Sequence, residues 1–148
     1  MTEDNKALVR RFFEEFCNQR KMNIGEELFY PNHLYHDSAS PWVGPGPEGM
    51  RQLISTYTNA FPDAHWSVDE MLATGDTVVT RWTGKGTHRG ELLGFAPTDK
   101  YVVVPGIWIH RVTGGKISES WASWDTLGMF QQLGILKPLA QGKSQTAG

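Results

Sequence analysis

Residues 100–134 read KYVVVPGIWIHRVTGGKISESWASWDTLGMFQQLG and predict two long β-strands, a tight turn and a short helix. Gly114 and Gly115 supply the positive φ angles that a two-residue hairpin turn requires. With this turn, each residue before Gly114 faces the residue equally far beyond Gly115, and side chains of facing pairs share one face of the sheet. That face then carries an imidazole, two carboxylates and two indoles, which predicts the wall of a pocket. The predicted pairs are His110 with Glu119, Trp108 with Trp121, Gly106 with Ser123, and Val104 with Asp125.

The composition is that of a soluble globular domain. The 148 residues are 39% apolar and 20% charged, and the net charge of -2 gives no electrostatic basis for a nucleic acid or anionic membrane partner. No apolar run approaches the roughly 18 residues of a membrane-spanning helix, and the N-terminus lacks the apolar segment of a secretory signal. The single cysteine, Cys17, excludes an intramolecular disulfide and a cysteine-cluster metal site. We therefore expect a cytoplasmic protein.

The order of the predicted elements indicates an α+β fold. Helices are predicted over residues 3–18, 24–29 and from Pro47 to Phe61, and strands over residues 33–37, 65–73 and 77–86 and in the hairpin. Helices followed by antiparallel strands predict a curved, mainly antiparallel sheet that wraps the N-terminal helices around one internal pocket. The small polar residues 139–148 predict a flexible tail, which leaves a single domain over residues 1–138.

Four side chains outside the hairpin are candidates for contact with a ligand. Tyr35 and His36 end the short strand, and Trp42, in a Pro/Gly-rich loop, is either a lid over the cavity or a packing anchor. Arg81 is either an exposed strand arginine or an inward partner for a carboxylate or an oxyanion. The His-x-x-His pattern that ends at His36 does not predict a metal site, because residues three apart on a strand point to opposite faces.

The chain resembles a known family over about residues 5 to 136. The resemblance is carried by GPEGMRQLISTYTNAFPDAHWSVDEMLATGDTVVTRWTGKGTHRGELLGFAPTDKYVVVPGIWIHRV and GGKISESWASWDTLGMFQQLG. Both segments are similar to the SnoaL-like polyketide cyclases of the ester cyclase branch, in the nuclear-transport-factor-2-like (NTF2-like) superfamily. The resemblance implies a cone-shaped α+β barrel, one hydrophobic pocket, no metal or cofactor, and a homodimer formed through the sheet. Ile107, Ile109 and Trp124 are the apolar residues predicted on the convex, dimerising face.

The resemblance also implies catalytic roles. In characterised cyclases of this type, a carboxylate near the end of the last strand is the general acid/base of an intramolecular aldol ring closure. Asp125 matches that carboxylate, and His110 matches a pocket histidine on the preceding strand. Burial beside indoles would make the carboxylate a stronger base, and indoles suit a flat, polycyclic or conjugated ligand. The residues predicted to bind the substrate are Trp108, Trp121, Glu119, Ser123, Tyr35, His36, Trp42 and Arg81.

Several alternatives remain open at this stage, because the superfamily hosts several activities and a fold does not fix a function. The first is a cofactor-independent cyclase or isomerase-type enzyme for a hydrophobic, carbonyl-containing and polyketide-like small molecule. The second is an epoxide hydrolase, which needs an Asp–Arg–Asp arrangement to which Asp125 and Arg81 would contribute. The third is a non-catalytic small-molecule-binding protein. Asp125 has a structural alternative as a helix cap, and His110 as an ion pair with Glu119. Exposure of Asp125 outside any cavity would contradict every catalytic interpretation that the sequence offers.

Overall fold

The computed structural model describes residues 2–137, in which helices pack against one face of a five-stranded sheet. The helical segments are α1 (Thr2–Arg11), a π-helix (Phe12–Asn18), a 3₁₀ turn (Met22–Ile24), α2 (Gly25–Leu28), α3 (Gly46–Ala60) and α4 (Thr126–Gln132). The strands are β1 (Phe29–His36), β2 (His65–Thr74), β3 (Thr77–Thr87), β4 (Tyr101–Thr113) and β5 (Lys116–Trp124).

The sheet is mixed and open. Its order is β1-β5-β4-β3-β2, with β1 parallel to β5 and the other pairs antiparallel. The predicted α+β fold is confirmed, although the curved sheet does not close on itself because β1 and β2 remain as edges. Within residues 2–137, no helix has the length and apolarity needed to cross a membrane. The tail predicted over residues 139–148 lies outside the described residues.

The π-helix brings the aromatic residues of the N-terminal segment onto the sheet. Phe12 and Phe13 are adjacent in sequence, yet both are fully buried, as are Phe16 and Cys17 one turn later. A helix wider than the 3.6 residues per turn of an α-helix lets these adjacent pairs share one side. The rings of Phe12 and Phe13 lie 5.1 and 5.3 Å from that of Trp108 on β4. This contact defines the inner face of the sheet, which faces the helices; the opposite side is the outer face.

The β4–β5 hairpin starts in the predicted register and then shifts by one residue. Val112 faces Ile117, as the Gly-Gly turn predicts. The next pair is Arg111 with Glu119, so Ser118 is the extra residue of a β-bulge. Because side chains alternate between faces, a shift of one residue moves every later side chain of β5 to the other face.

The bulge makes the predicted pairing wrong for the rest of the hairpin. His110 faces Ser120 rather than Glu119, so the alternative of a His110–Glu119 cross-strand ion pair is also wrong. Trp108 faces Ala122 rather than Trp121. Val104 has no partner on β5, because the strand ends at Trp124. The other observed pairs are Ile107 with Ser123 and Gly106 with Trp124.

Two histidines and a serine form a buried hydrogen-bonded chain across β1, β5 and β4. Ser120 Oγ lies 2.8 Å from His33 Nε2 and 2.7 Å from His110 Nδ1, and none of the three residues is exposed. The hydroxyl has one proton, so it donates to one imidazole and accepts from the N–H of the other. His33 Nδ1 and His110 Nε2 have no hydrogen-bond partner within the described protein. Within the described residues, Ser120 is thus the hydrogen-bond partner of both imidazoles, and neither is hydrogen-bonded to an acidic group.

Burial lowers the pKa of His33 to about 4 and that of His110 to about 3. Repulsion between the two imidazoles adds to the effect at His110. At His33 the charge of Glu119 opposes the effect of burial, and His36 reinforces it. A histidine in the unfolded chain has a pKa of about 6.5. In the pH range between the folded and unfolded pKa values, the unfolded chain therefore binds more protons than the folded chain. The contribution to stability is complete above about pH 6.5 and is lost as the pH falls towards the folded pKa values.

We expect the free energy of unfolding to fall by about 2 kcal/mol per buried histidine between pH 7.5 and pH 5, because the folded protein keeps both imidazoles neutral. Denaturant unfolding at pH 7.5, 6.5 and 5 measures this dependence. In His110→Leu the pH dependence of the free energy of unfolding should fall by about half, because one of the two buried imidazoles is gone. His65→Gln, which changes an exposed histidine, is the control and should keep it. A wild-type protein equally stable at pH 6.5 and pH 5 would contradict this account.

Candidate functional site

A cavity of about 70 Å³ lies between α3, α4 and the inner faces of β3 and β4. Its wall is mainly aromatic and aliphatic, and no acidic side chain of the described residues lines it directly. Two phenols contribute the hydroxyl groups of the wall, Tyr35 from β1 and Tyr57 from α3. The indoles in the wall are those of Trp66, Trp82, Trp108 and Trp124. The site is therefore an apolar cavity with a small number of polar groups, which is the usual composition of a small-molecule site.

A hydrogen-bonded cluster around Asp37 forms the polar part of the wall. Asp37 Oδ2 accepts a hydrogen bond from the Tyr35 hydroxyl at 2.8 Å and another from Trp124 Nε1 at 3.1 Å. Asp37 Oδ1 accepts from the backbone N–H of Ala39 at 2.9 Å. Trp108 Nε1 donates to the Tyr35 hydroxyl at 3.4 Å. The half-buried carboxylate thus lies directly behind two residues of the cavity wall, in an orientation fixed by three donors.

The two phenols of the wall are held in their protonated form. Burial, followed by the charge of Asp37, raises the pKa of Tyr35. Burial also raises the pKa of Tyr57 to about 12, and the ring of Tyr57 lies 5.5 Å from that of Trp124 in an edge-to-face contact. Both hydroxyl groups therefore keep a proton to donate at neutral pH.

Neither predicted catalytic residue lies in the cavity wall. Asp125 is exposed and caps α4, its Oδ1 accepting a hydrogen bond from the backbone N–H of Gly128 at 2.9 Å. The predicted position in a pocket is wrong because the bulge in β5 turns Trp124 inward, which turns the next residue outward. His110 is fully buried, but it belongs to the chain with Ser120 and does not line the cavity.

Four of the predicted substrate contacts lie on the outer face, and the bulge in β5 places three of them there. Glu119 Oε2 accepts a hydrogen bond from His36 Nε2 at 2.6 Å, and Glu119 Oε1 lies 3.7 Å from the Arg111 guanidinium. The ring of Trp121 stacks on that of His36 at 5.2 Å, and the Arg111 guanidinium carbon is 5.2 Å from the Trp121 centroid. Ser123 is exposed on the same face. The prediction that Glu119, Trp121, His36 and Ser123 line the pocket is therefore wrong.

The other predicted contacts are divided between the cavity and its surroundings. Tyr35 and Trp108 line the cavity, as expected from the sequence. Trp42 is half-buried against the main core, as in its packing-anchor alternative. Arg81 is exposed, so its inward alternative is wrong. Its ion-pair partners are Asp69 at 3.7 Å and Glu70 at 3.5 Å.

Trp124 in the wall and Asp37 behind it are the residues of the polar cluster that the sequence pattern did not indicate. Asp37 lies two positions after Tyr35, and alternation along a strand would have placed both side chains on one face. Trp124 was predicted on the convex face, and nothing in the local sequence marks the bulge that turns it inward. Among residues 2–137, no group of three or more His, Cys, Asp or Glu side chains is arranged to hold a metal ion.

Known proteins of similar sequence and structure share this fold. The chain is 28% identical over 140 residues to aklanonic acid methyl ester cyclase DnrD from Streptomyces peucetius, covering 91% of this chain and 94% of DnrD. TsrD from Streptomyces laurentii has a TM-score of 0.82 at 26% identity, covering 92% of this chain and 98% of TsrD. IdmH from Streptomyces antibioticus has a TM-score of 0.74 at 29% identity, covering 88% of this chain and 98% of IdmH. The family model of the SnoaL-like polyketide cyclases matches residues 7–133, and the chain therefore belongs to that family.

Proposed function

We propose that the protein is a cofactor-independent enzyme of the cyclase or isomerase type that performs general acid/base chemistry on a hydrophobic carbonyl compound. Family membership supports an enzyme of this type. The observation that carries the proposal is the Asp37 carboxylate, which is fixed behind Tyr35 and Trp124 at the wall of an otherwise apolar cavity. A general base needs to be close to the proton it removes and positioned by its neighbours.

Asp37 is the proposed base. Asp37 acts through Tyr35: the Tyr35 oxygen in the cavity wall takes a proton from the carbon next to a carbonyl group while the Tyr35 hydroxyl proton passes to Asp37 Oδ2, and the electrons of the C–H bond form an enolate. The enolate carbon attacks a second carbonyl carbon in the same molecule, and the proton on Asp37 is returned through Tyr35 to the resulting alkoxide. No proton or electron is gained or lost overall.

Tyr35 is the proposed hydrogen-bond donor to the enolate oxygen. Its hydroxyl now donates to Asp37 Oδ2 and lies in the cavity wall. When Asp37 takes the proton from Tyr35, it loses its negative charge and becomes a weaker acceptor for that hydroxyl. The Tyr35 hydroxyl can then donate to the oxygen on which negative charge develops. Holding both carbonyl groups in one folded pose lowers the barrier further through proximity.

The two alternative functions, an epoxide hydrolase and a non-catalytic binding protein, have less support than the proposed enzyme. Arg81 and Asp125 do not form part of the Asp–Arg–Asp arrangement of an epoxide hydrolase in the cavity, because both side chains are exposed outside it. A non-catalytic binding protein would use the same cavity without Asp37, and turnover measurements separate it from the enzyme.

We also propose that two copies of the chain associate through the outer face of the sheet. Val103, Ile107 and Ile109 lie in a row on the outer side of β4 and are 42%, 45% and 36% exposed. Contiguous exposed apolar side chains are typical of protein interfaces. Trp124 does not belong to this face, because the bulge turns it towards the cavity.

We expect Asp37→Asn to lower turnover at least about 100-fold, because an amide cannot accept the proton from Tyr35. Exchange of the α-protons of small ketones in D₂O, followed by NMR, measures enolisation directly. Binding of the same ketones, measured by tryptophan fluorescence, should change little because the amide oxygen still accepts hydrogen bonds from the wall.

Asp125→Asn is the matched control, since it makes the same change at an exposed carboxylate and asparagine also caps helices well. This variant should keep wild-type turnover. Loss of turnover in Asp125→Asn but not in Asp37→Asn would assign the base to the helix cap instead. Ketones that bind the wild type but exchange no faster than in buffer would favour the binding protein.

We expect Ile107→Glu to dissociate the homodimer, because it places a charge in the middle of the proposed apolar interface. Sedimentation velocity over a range of protein concentrations measures the change from the mass of two chains to that of one. Leu127→Glu is the control, because Leu127 is a similarly exposed leucine on α4, outside the sheet. A wild-type protein that sediments as a monomer at every concentration would refute this assembly.

A further inference from the structure

The wall of the cavity also limits the size of what it can hold. We propose that the ligand is a short-chain or single-ring carbonyl compound, and that Trp82, packed over Gly106, is the residue that excludes larger ring systems. The carbonyl chemistry in this statement rests on the proposed function. The size limit rests on the geometry of the wall alone and is measured by binding rather than by turnover.

The volume of the cavity is the first argument. It is about 70 Å³, whereas sites for drug-sized ligands enclose roughly 300–1,000 Å³. An engineered apolar cavity of about 150 Å³ in another protein binds a single benzene ring. The cavity here is less than half that size, so a short chain fits it, and a single ring enters only where wall side chains move aside. A polycyclic ligand, expected from the number of tryptophans, does not fit this space.

Trp82 occupies the space into which a larger ligand would extend. Its side chain lies on the inner face of β3 and covers Gly106, its partner on β4. A Cβ atom at position 106 would overlap the indole ring, so only glycine lets Trp82 lie flat against the neighbouring strand. The ring of Trp82 lies 5.2 Å from that of Trp108. Together these two rings close the cavity on the side of the N-terminal helices.

Two other indoles of the cavity wall are held by contacts that Trp82 lacks. Trp108 is supported by Phe12 and donates a hydrogen bond to Tyr35. Trp124 donates to Asp37. The indole N–H of Trp82 is buried and has no partner within the described protein. Shortening Trp82 therefore enlarges the cavity without breaking a hydrogen bond of the polar wall, and this makes it the position at which size can be tested.

Three aryl ketones of increasing ring number test the proposal: acetophenone, 2-acetylnaphthalene and 2-acetylanthracene. Isothermal titration calorimetry measures their Kd values. Wild type should bind acetophenone at least about tenfold more tightly than 2-acetylanthracene, although burial of more apolar surface would otherwise favour the larger ligand. Trp82→Leu should tighten the binding of 2-acetylnaphthalene at least about tenfold, because its second ring gains a place to be buried. Trp121→Leu removes an indole from the outer face and should leave all three affinities unchanged.

A second variant tests the same contact from the other side. In Gly106→Ala the added methyl group forces the Trp82 ring into the cavity, so acetophenone affinity should fall at least about tenfold.

Far-UV circular dichroism verifies that each variant is folded, and Trp82→Phe replaces any variant that is not. Equal wild-type affinity for one and three rings would overturn the size limit, and an unchanged preference in a folded Trp82 variant would overturn the role of that residue. Absence of binding by all three ketones would also overturn the proposal. A failure of Asp37→Asn to lower turnover would leave the size limit intact and affect only the proposed function.

Discussion

Ser118 is the extra residue of the β5 bulge. This one insertion decides which side chains of β5 after Ser118 point to the inner face of the sheet. The bulge turns Ser120 towards the two buried histidines and Trp124 towards the cavity. It turns Glu119 and Trp121 to the outer face, where water and Arg111 are available to them. A regular hairpin would have placed Glu119 beside Phe12 and Trp108, where an ionised carboxylate is costly. The bulge thus separates the charged side chains of β5 from its packing side chains.

The inner face of the sheet is divided into two regions with different roles. Around the π-helix, the rings of Phe12, Phe13 and Trp108 pack closely, and Ser120 forms hydrogen bonds with His33 and His110 within that packing. Close packing of this kind resists changes in volume and gives the sheet a fixed inner wall. Towards α4 the packing is incomplete, and the cavity occupies that space. The aromatic region therefore serves as the rigid support on which the cavity is built.

The chemistry proposed for the cavity depends on where a single carboxylate lies. Members of one fold family often keep the framework and change the residues of the site. In this chain the family resemblance points to Asp125, whereas the hydrogen bonds of the cavity wall converge on Asp37 at the end of β1. Both residues follow directly after a strand, where a polar side chain can reach the cavity or the solvent. The orientation of the last strand residue decides between these outcomes.

The sequence by itself determined the class of fold, the order of its elements, the Gly-Gly turn and the family, because these follow from local periodicity, turn chemistry and quoted motifs. It also placed Trp108 in the wall of a cavity, since alternation along a strand is a local property, and it offered Tyr35 as one of several candidates. Only the tertiary structure decided the register beyond Ser118, the exposure of Asp125 and Arg81, and the grouping of Asp37 with Trp124. A bulge is stabilised by the packing of the whole sheet, and a change of one residue reverses the faces of everything that follows it. The size of the cavity likewise depends on how Trp82 meets Gly106 across two strands, which no local pattern specifies.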